Sequence, residues 1–196
     1  MVNWLFNNFD LILEIVAVIF GIAYVILAAK NKISCWIFGI VGSVLSIFLF
    51  VVYAKLYAES VLYLFYVFAG IYGWVNWKKL KEENQVYQHN LKTHLQIIIG
   101  GTIVTFLFYY AMTYLFSGAK KPLTDSFTTI FSFIATYLTT RKWIENWIYW
   151  VVIDAVTTYL YFSRGLEIYS ILMLAYSFIA IYGYLEWKKL TIIKIA

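Results

Sequence analysis

Residues 71–80 read IYGWVNWKKL, and residues 181–190 read IYGYLEWKKL. Seven of these ten positions are identical. Extended toward the N-terminus, residues 56–80 (LYAESVLYLFYVFAGIYGWVNWKKL) and 166–190 (LEIYSILMLAYSFIAIYGYLEWKKL) share thirteen of 25 positions without a gap, Tyr72/Tyr182, Gly73/Gly183 and Trp77/Trp187 among them. Further upstream the match weakens but persists, with Lys30 against Arg141, Trp36 against Trp147 and Lys55 near Arg164. The chain reads as two copies of one unit.

Composition gives the class of that unit. The sequence is 63% hydrophobic, 21% aromatic and 13% charged, with a single proline and a mean hydropathy of +0.78. Soluble domains are about 45–50% apolar and about 25% charged. The chain is therefore expected to be an all-α integral membrane protein. The formal charge of +5 is assigned to membrane topology, with no nucleic-acid partner, because the basic residues sit between apolar runs. The lone Cys35 lies in an apolar run and reads as a small buried hydrophobe, which excludes a disulfide framework or a thiolate metal site. The stretch MVNWLFNNFD before the first apolar run lacks a basic n-region, so no cleavable signal peptide is expected.

A membrane-crossing helix needs about 20 apolar residues. Seven segments qualify as transmembrane helices, at 9–29, 34–54, 58–77, 94–116, 125–140, 145–163 and 167–187. The fifth, SFTTIFSFIATYLTT, is short and rich in hydroxyls, which suits a helix buried among others. Residues 1–196 then form one transmembrane domain. Repeat 1 (9–77) holds the first three helices, a linker helix spans 94–116, and repeat 2 (125–190) holds the last three. The offset is four helices, so both repeats cross in the same sense. This is a 3+1+3 parallel repeat about an axis along the membrane normal, the arrangement of SWEET-like transporters. With the N-terminus outside, inner loops carry eleven basic residues (Lys30, Lys32, Lys78, Lys79, Lys81, Lys92, Arg141, Lys142, Lys188, Lys189, Lys194) and outer loops four (Lys55, Lys120, Lys121, Arg164). That bias places the C-terminus in the cytoplasm of a cell that holds the chain in its inner or plasma membrane.

Ionisable groups within a bilayer mark a solute path, because each is costly unless partnered or hydrated. Two carboxylates qualify: Asp154, mid-way along the sixth helix, and Glu14 in the first. Glu59, Glu145, Glu167 and Glu186 fall near helix ends and are expected to be solvated. Helical spacing lines up Asn146, Trp147, Trp150, Asp154, Thr157, Thr158 and Tyr161 on one stripe. A carboxylate one turn from an indole can hold a flat cation, the ring stacking on the solute and the charge being neutralised. Tyr63, Tyr66 and Tyr176 are the deepest tyrosines and join the candidate substrate set. His89 and His94 stand in the polar stretch 78–94 with no H-E-x-x-H pattern, and His89 is expected to be solvated. No catalytic residues, metal ligands or cofactor are expected. The lack of a nucleophile, base or metal cluster argues against an enzyme and the lack of a nucleotide motif against an ATP-driven pump, and the remaining class beside a carrier is a small-molecule channel.

The motifs carry a family resemblance. TRKWIENWIYWVVIDAV at 140–156 resembles the TRK-x-x-ENW-x-x-W signature of PnuC-type vitamin transporters, and IYGWVNW (71–77) and LYAES (56–60) resemble their third core helix. The resemblance covers essentially the whole chain. It implies a 3+1+3 fold, facilitated diffusion of a water-soluble vitamin, and cytoplasmic trapping by phosphorylation. It also implies a substrate-facing role for Asn146, Trp147 and Trp150. Members import nicotinamide riboside, thiamine or riboflavin. The nicotinamide riboside branch carries side-chain amides at places that here read Gly42, Tyr63, Gly70 and Asp154. An acid in place of an amide suits thiamine, with its fixed positive charge and ring amine, so thiamine is the expected solute. Nicotinamide riboside, also a cation, is the alternative. The lipid bilayer is the other partner, and a homo-oligomer is left open.

Overall fold

The computed structural model describes residues 9–54, 57–80, 84–115 and 122–195. Lys55, Lys81, Lys120 and Lys121 of the charge count lie outside the described residues, as does the side chain of Glu59. The helices are α1 (Phe9–Ala29), α2 (Cys35–Phe48), α3 (Tyr57–Lys79), α4 (Leu91–Leu115), α5 (Pro122–Thr140), α6 (Asn146–Phe162) and α7 (Glu167–Lys188). A π-helical stretch, Leu49–Ala54, continues α2. The single proline opens α5, where its missing N–H costs nothing. Four segments are long and apolar enough to cross a bilayer on their own: Leu11–Ala29, Cys35–Tyr53, Leu91–Tyr114 and Glu167–Lys188.

The chain packs as two compact units, Met1–Glu83 and Asn84–Ala196. In the first, α2 packs against both α1 and α3. In the second, α6 packs against both α5 and α7, and α4 lies on α5. Ser126, Ile130, Phe131, Ser132, Ala135, Thr136, Leu138, Thr139 and Thr140 of α5 are all buried. Two of its hydroxyls fold back onto their own backbone, Thr128 Oγ1 to Thr124 O at 3.1 Å and Thr139 Oγ1 to Ala135 O at 2.9 Å. That satisfies each hydroxyl without water, which is how a threonine-rich segment remains helical in an apolar setting. On α4, Gly101 meets Phe131 and Ile134 of α5, whereas Gly100 faces open space.

The repeat visible in the sequence is also local structure. The turn after α1 and the turn after α5 have the same backbone, displaced by 111 positions. Asn31 and Lys142 both adopt φ 54°. Asn31 N donates to Ala28 O at 2.9 Å and Lys142 N to Thr139 O at 3.0 Å; Lys32 N donates to Leu27 O at 2.9 Å and Trp143 N to Leu138 O at 3.0 Å. Cys35 N to Lys32 O (3.0 Å) matches Asn146 N to Trp143 O (3.1 Å). Each turn then delivers one buried tryptophan. Trp36 meets Trp77 edge to face at 5.4 Å and 87°, and Trp147 meets Trp187 at 5.5 Å and 89°. Both indoles lie in a notch left by a glycine: a Cβ on Gly73 would collide with Trp36, and one on Gly183 would stand 2.7 Å from Trp147.

One pair of elements is not announced by hydropathy. β1 (Gln85–His89) pairs in parallel with β2 (Thr191–Ile195). The stretch 78–94 reads as a solvated loop in sequence, yet Val86 is fully buried. Tyr87 N donates to Lys142 O at 2.8 Å and Ile144 N to Tyr87 O at 2.9 Å, which ties β1 to the α5–α6 turn as well. Five residues cannot signal a strand by themselves, because their hydrogen-bond partners lie more than fifty positions away.

Gly183→Ala forces Trp147 to shift, and overpacking of this kind costs about 1–3 kcal/mol. The purified variant should unfold at a lower temperature in detergent. An unchanged midpoint would show that the indole has room to yield.

Candidate functional site

The residues picked from sequence divide between the units. Glu14, Tyr63 and Tyr66 belong to the first; Asn146, Trp147, Trp150, Asp154, Thr158 and Tyr176 belong to the second. In the first unit Glu14 is half-buried on α1. Tyr63 packs against Phe50 at 5.3 Å and meets Tyr66 edge to face at 5.8 Å, forming an aromatic group on α3.

The α6 stripe separates into two parts with different work. Its first turn is committed to packing. Asn146 is fully buried, accepts from Thr139 Oγ1 at 3.1 Å and donates from Nδ2 to Trp143 O at 2.6 Å. It thereby bonds the α5–α6 turn to α6. Trp147 is likewise buried in the Gly183 notch. The second part begins with Trp150, which is half-buried and packs on the Phe131–Ala135–Ile153 cluster. Asp154, four residues on and so on the same face, is only 7% exposed. Beyond it, Thr158 Oγ1 donates to Asp154 O at 2.7 Å, and Ser170 Oγ of α7 donates to Thr158 O at 3.0 Å. The first of these bonds uses the aspartate's backbone carbonyl, and neither engages its carboxylate. Tyr176 is half-buried on α7.

The displacement of 111 gives Asp154 a counterpart that the sequence reading missed. Ser43 of α2 holds the equivalent place and is equally buried. The signal was available, since Trp36/Trp147 differ by 111 positions whereas Trp77/Trp187 differ by 110. The change of register falls between these pairs.

Two expectations about charge at helix ends are corrected. Glu145 is buried, not solvated: its Oε1 accepts the His89 N–H at 3.0 Å and lies 3.5 Å from His94 Nε2. His89 is not a free loop residue, because its ring stacks on Trp143 with centroids 3.3 Å apart. Burial holds the His89 pKa below its usual value, with Glu145 pulling the other way and His94 and Arg141 adding to the depression. Both departures follow from β1, which brings a polar loop against the start of α6. Among the described residues no cluster of His, Cys, Asp and Glu has the makings of a metal site.

The sequence model of the nicotinamide mononucleotide transporter family matches residues 11–189. The chain belongs to this family. Among its relatives, the nicotinamide riboside transporter PnuC of Escherichia coli (strain K12) is 26% identical over 205 residues, spanning 89% of this chain and 84% of that protein. PnuC of Neisseria mucosa is 28% identical over 199 residues, spanning 93% and 74% respectively. The crystal structure of the vitamin B3 transporter PnuC superposes with a TM-score of 0.73 at 26% identity, covering 96% of this chain and 85% of that one. The protein is thus a multi-pass membrane transporter of the PnuC type.

Family membership sharpens the reading of the positions that lack amides. A Cβ on Gly42 would stand 3.1 Å from Phe20 Cβ, and one on Gly70 would stand 2.7 Å from Ile40 Cγ1. Both positions are closed by a neighbouring helix. Glycine suits close helix approach at both places, which gives each a packing role independent of the solute.

Replacing Thr139 with valine leaves Asn146 Oδ1 buried without that donor, at a cost of about 1–3 kcal/mol. Thermal unfolding of Thr139→Val should report this loss, and Thr139→Ser should restore most of it.

Proposed function

We propose that the chain carries nicotinamide riboside across a cell's inner or plasma membrane by facilitated diffusion, with phosphorylation in the cytoplasm trapping the product. Whole-chain similarity to proteins named as nicotinamide riboside transporters carries this reading. Thiamine, the solute expected from the missing amides, loses that ground because Gly42 and Gly70 face helix neighbours. The remaining chemistry suits a pyridinium as well as a thiazolium. Asp154 supplies a buried negative charge and Trp150, one turn away, a π face for a flat cationic ring. Asn146 and Trp147 act by fixing the start of α6. Glu14, Tyr63, Tyr66, Thr158 and Tyr176 complete the candidate contacts.

The architecture proposed for this work is the 3+1+3 parallel repeat, with α1–α3 and α5–α7 as the copies and α4 restoring direction. The matched turns and the matched tryptophan–glycine notches support it. The eleven-to-four distribution of basic residues supports an external N-terminus and a cytoplasmic C-terminus.

Calorimetry of the purified protein against nicotinamide riboside, thiamine, riboflavin and nicotinamide tests the solute. Nicotinamide riboside should bind most tightly. Asp154→Asn keeps the shape and removes the charge, and should weaken binding about tenfold, equivalent to about 1.4 kcal/mol. Tighter binding of thiamine, or full affinity in Asp154→Asn, would overturn the assignment.

Orientation has its own test. Asn84 is exposed beside β1, so a cysteine placed there should resist impermeant thiol reagents in intact cells and react after lysis.

A further inference from the structure

The start of α6 holds a polar cluster that the transport site does not use. Glu145, immediately before α6, is buried between two histidines from different elements. Its Oε1 accepts the backbone N–H of His89 on β1 at 3.0 Å and stands 3.5 Å from Nε2 of His94 on α4. His94 Nδ1 lies 3.1 Å from the hydroxyl of Tyr149, the neighbour of Trp150. His89 Nδ1, His94 Nε2 and Glu145 Oε2 are all buried without a hydrogen-bond partner. A carboxylate cannot donate, so the His94 nitrogen facing it carries the hydrogen and Nδ1 accepts from Tyr149.

We propose that Glu145 is a positioning residue for transport: it grips β1 and α4 together at the start of α6, sets the placement of Trp150 and Asp154, and holds them in a proton-sensitive way through His89. The proposal rests on the α6 site described above. A proton on His89 leaves a buried Nδ1–H without an acceptor beside Trp143, and this is the costly form. The other groups around the pair are Arg141 on the α5–α6 turn and, on β2, Ile195 opposite His89 with Lys194 beside it.

The sign follows from the depressed His89 pKa. The grip is fully present above the ordinary histidine value of about 6.5 and is lost as pH falls below it. The chain has two histidines, and both are in this cluster, so histidine-selective NMR reads the site directly. In wild type the His89 resonance should titrate below about 6.5, and Glu145→Gln, which keeps an acceptor for the His89 N–H, should move it lower still. Substrate affinity measured in detergent should fall by roughly fivefold between about pH 7.5 and about pH 5.5. His89→Phe keeps the stack on Trp143 and removes the titration, so its affinity should vary less with pH. An unmoved His89 resonance in Glu145→Gln, or identical pH profiles for wild type and His89→Phe, would overturn the proposal. If nicotinamide riboside does not bind at all, the solute assignment fails alone. The NMR titration and the pH dependence of thermal unfolding then still decide the role of Glu145.

Discussion

Each helical unit depends on one indole that has no spare room. Apolar burial does little to drive one helix onto another inside a bilayer, because lipid is as apolar as leucine. Close fit has to supply the difference. A glycine on α3 or α7 lets the tryptophan of the preceding helix lie against bare backbone, and a second tryptophan meets it edge on. Edge-to-face aromatic pairs add about 0.5–1.5 kcal/mol beyond contact area. The notch also sets rotation, since a helix turned by one residue would present a side chain where the indole lies. Everything further along α6, including the face shown by Trp150 and Asp154, inherits its direction from that constraint.

The left-handed residues Asn31 and Lys142 do the corresponding work at the entry to α2 and α6. Each ends one helix and starts the next within a few residues, leaving little freedom in the angle between them. The turns match bond for bond although their side chains differ, because backbone hydrogen bonds are indifferent to side-chain identity. The units have then diverged where the backbone does not constrain them. Ser43 and Asp154 occupy equivalent buried places, so a carboxyl group stands in one unit and a hydroxyl in the other.

The small parallel sheet has a different character. Its first strand lies in a stretch that hydropathy treats as exposed, and it draws Glu145 out of water. A buried carboxylate that accepts a backbone N–H and faces one imidazole carries an electrostatic cost unless its bonds are kept. That cost concentrates at the end of α6 nearest the packing tryptophan, so polar and apolar constraints converge on the same helix.

Runs of about twenty apolar residues favour helix in a bilayer, and so the seven helical segments were legible in the sequence. With the π-helical stretch counted as part of α2, the structure's bounds differ from that reading by three residues or fewer. Asp154 and Trp150 were legible too, since a charge in an apolar run and an i, i+4 spacing are both local signals. The division of the α6 stripe was not. Whether Trp147 faces a solute or fills a glycine notch depends on α7, forty residues away in the chain. The burial of Glu145, the pairing of β1 with β2 and the closure of Gly42 and Gly70 likewise depend on distant partners. Sequence determined which segments are helical and where charge is unusual. Only tertiary packing decided which side chains are consumed in holding those helices together, because that depends on the volume left by the neighbour.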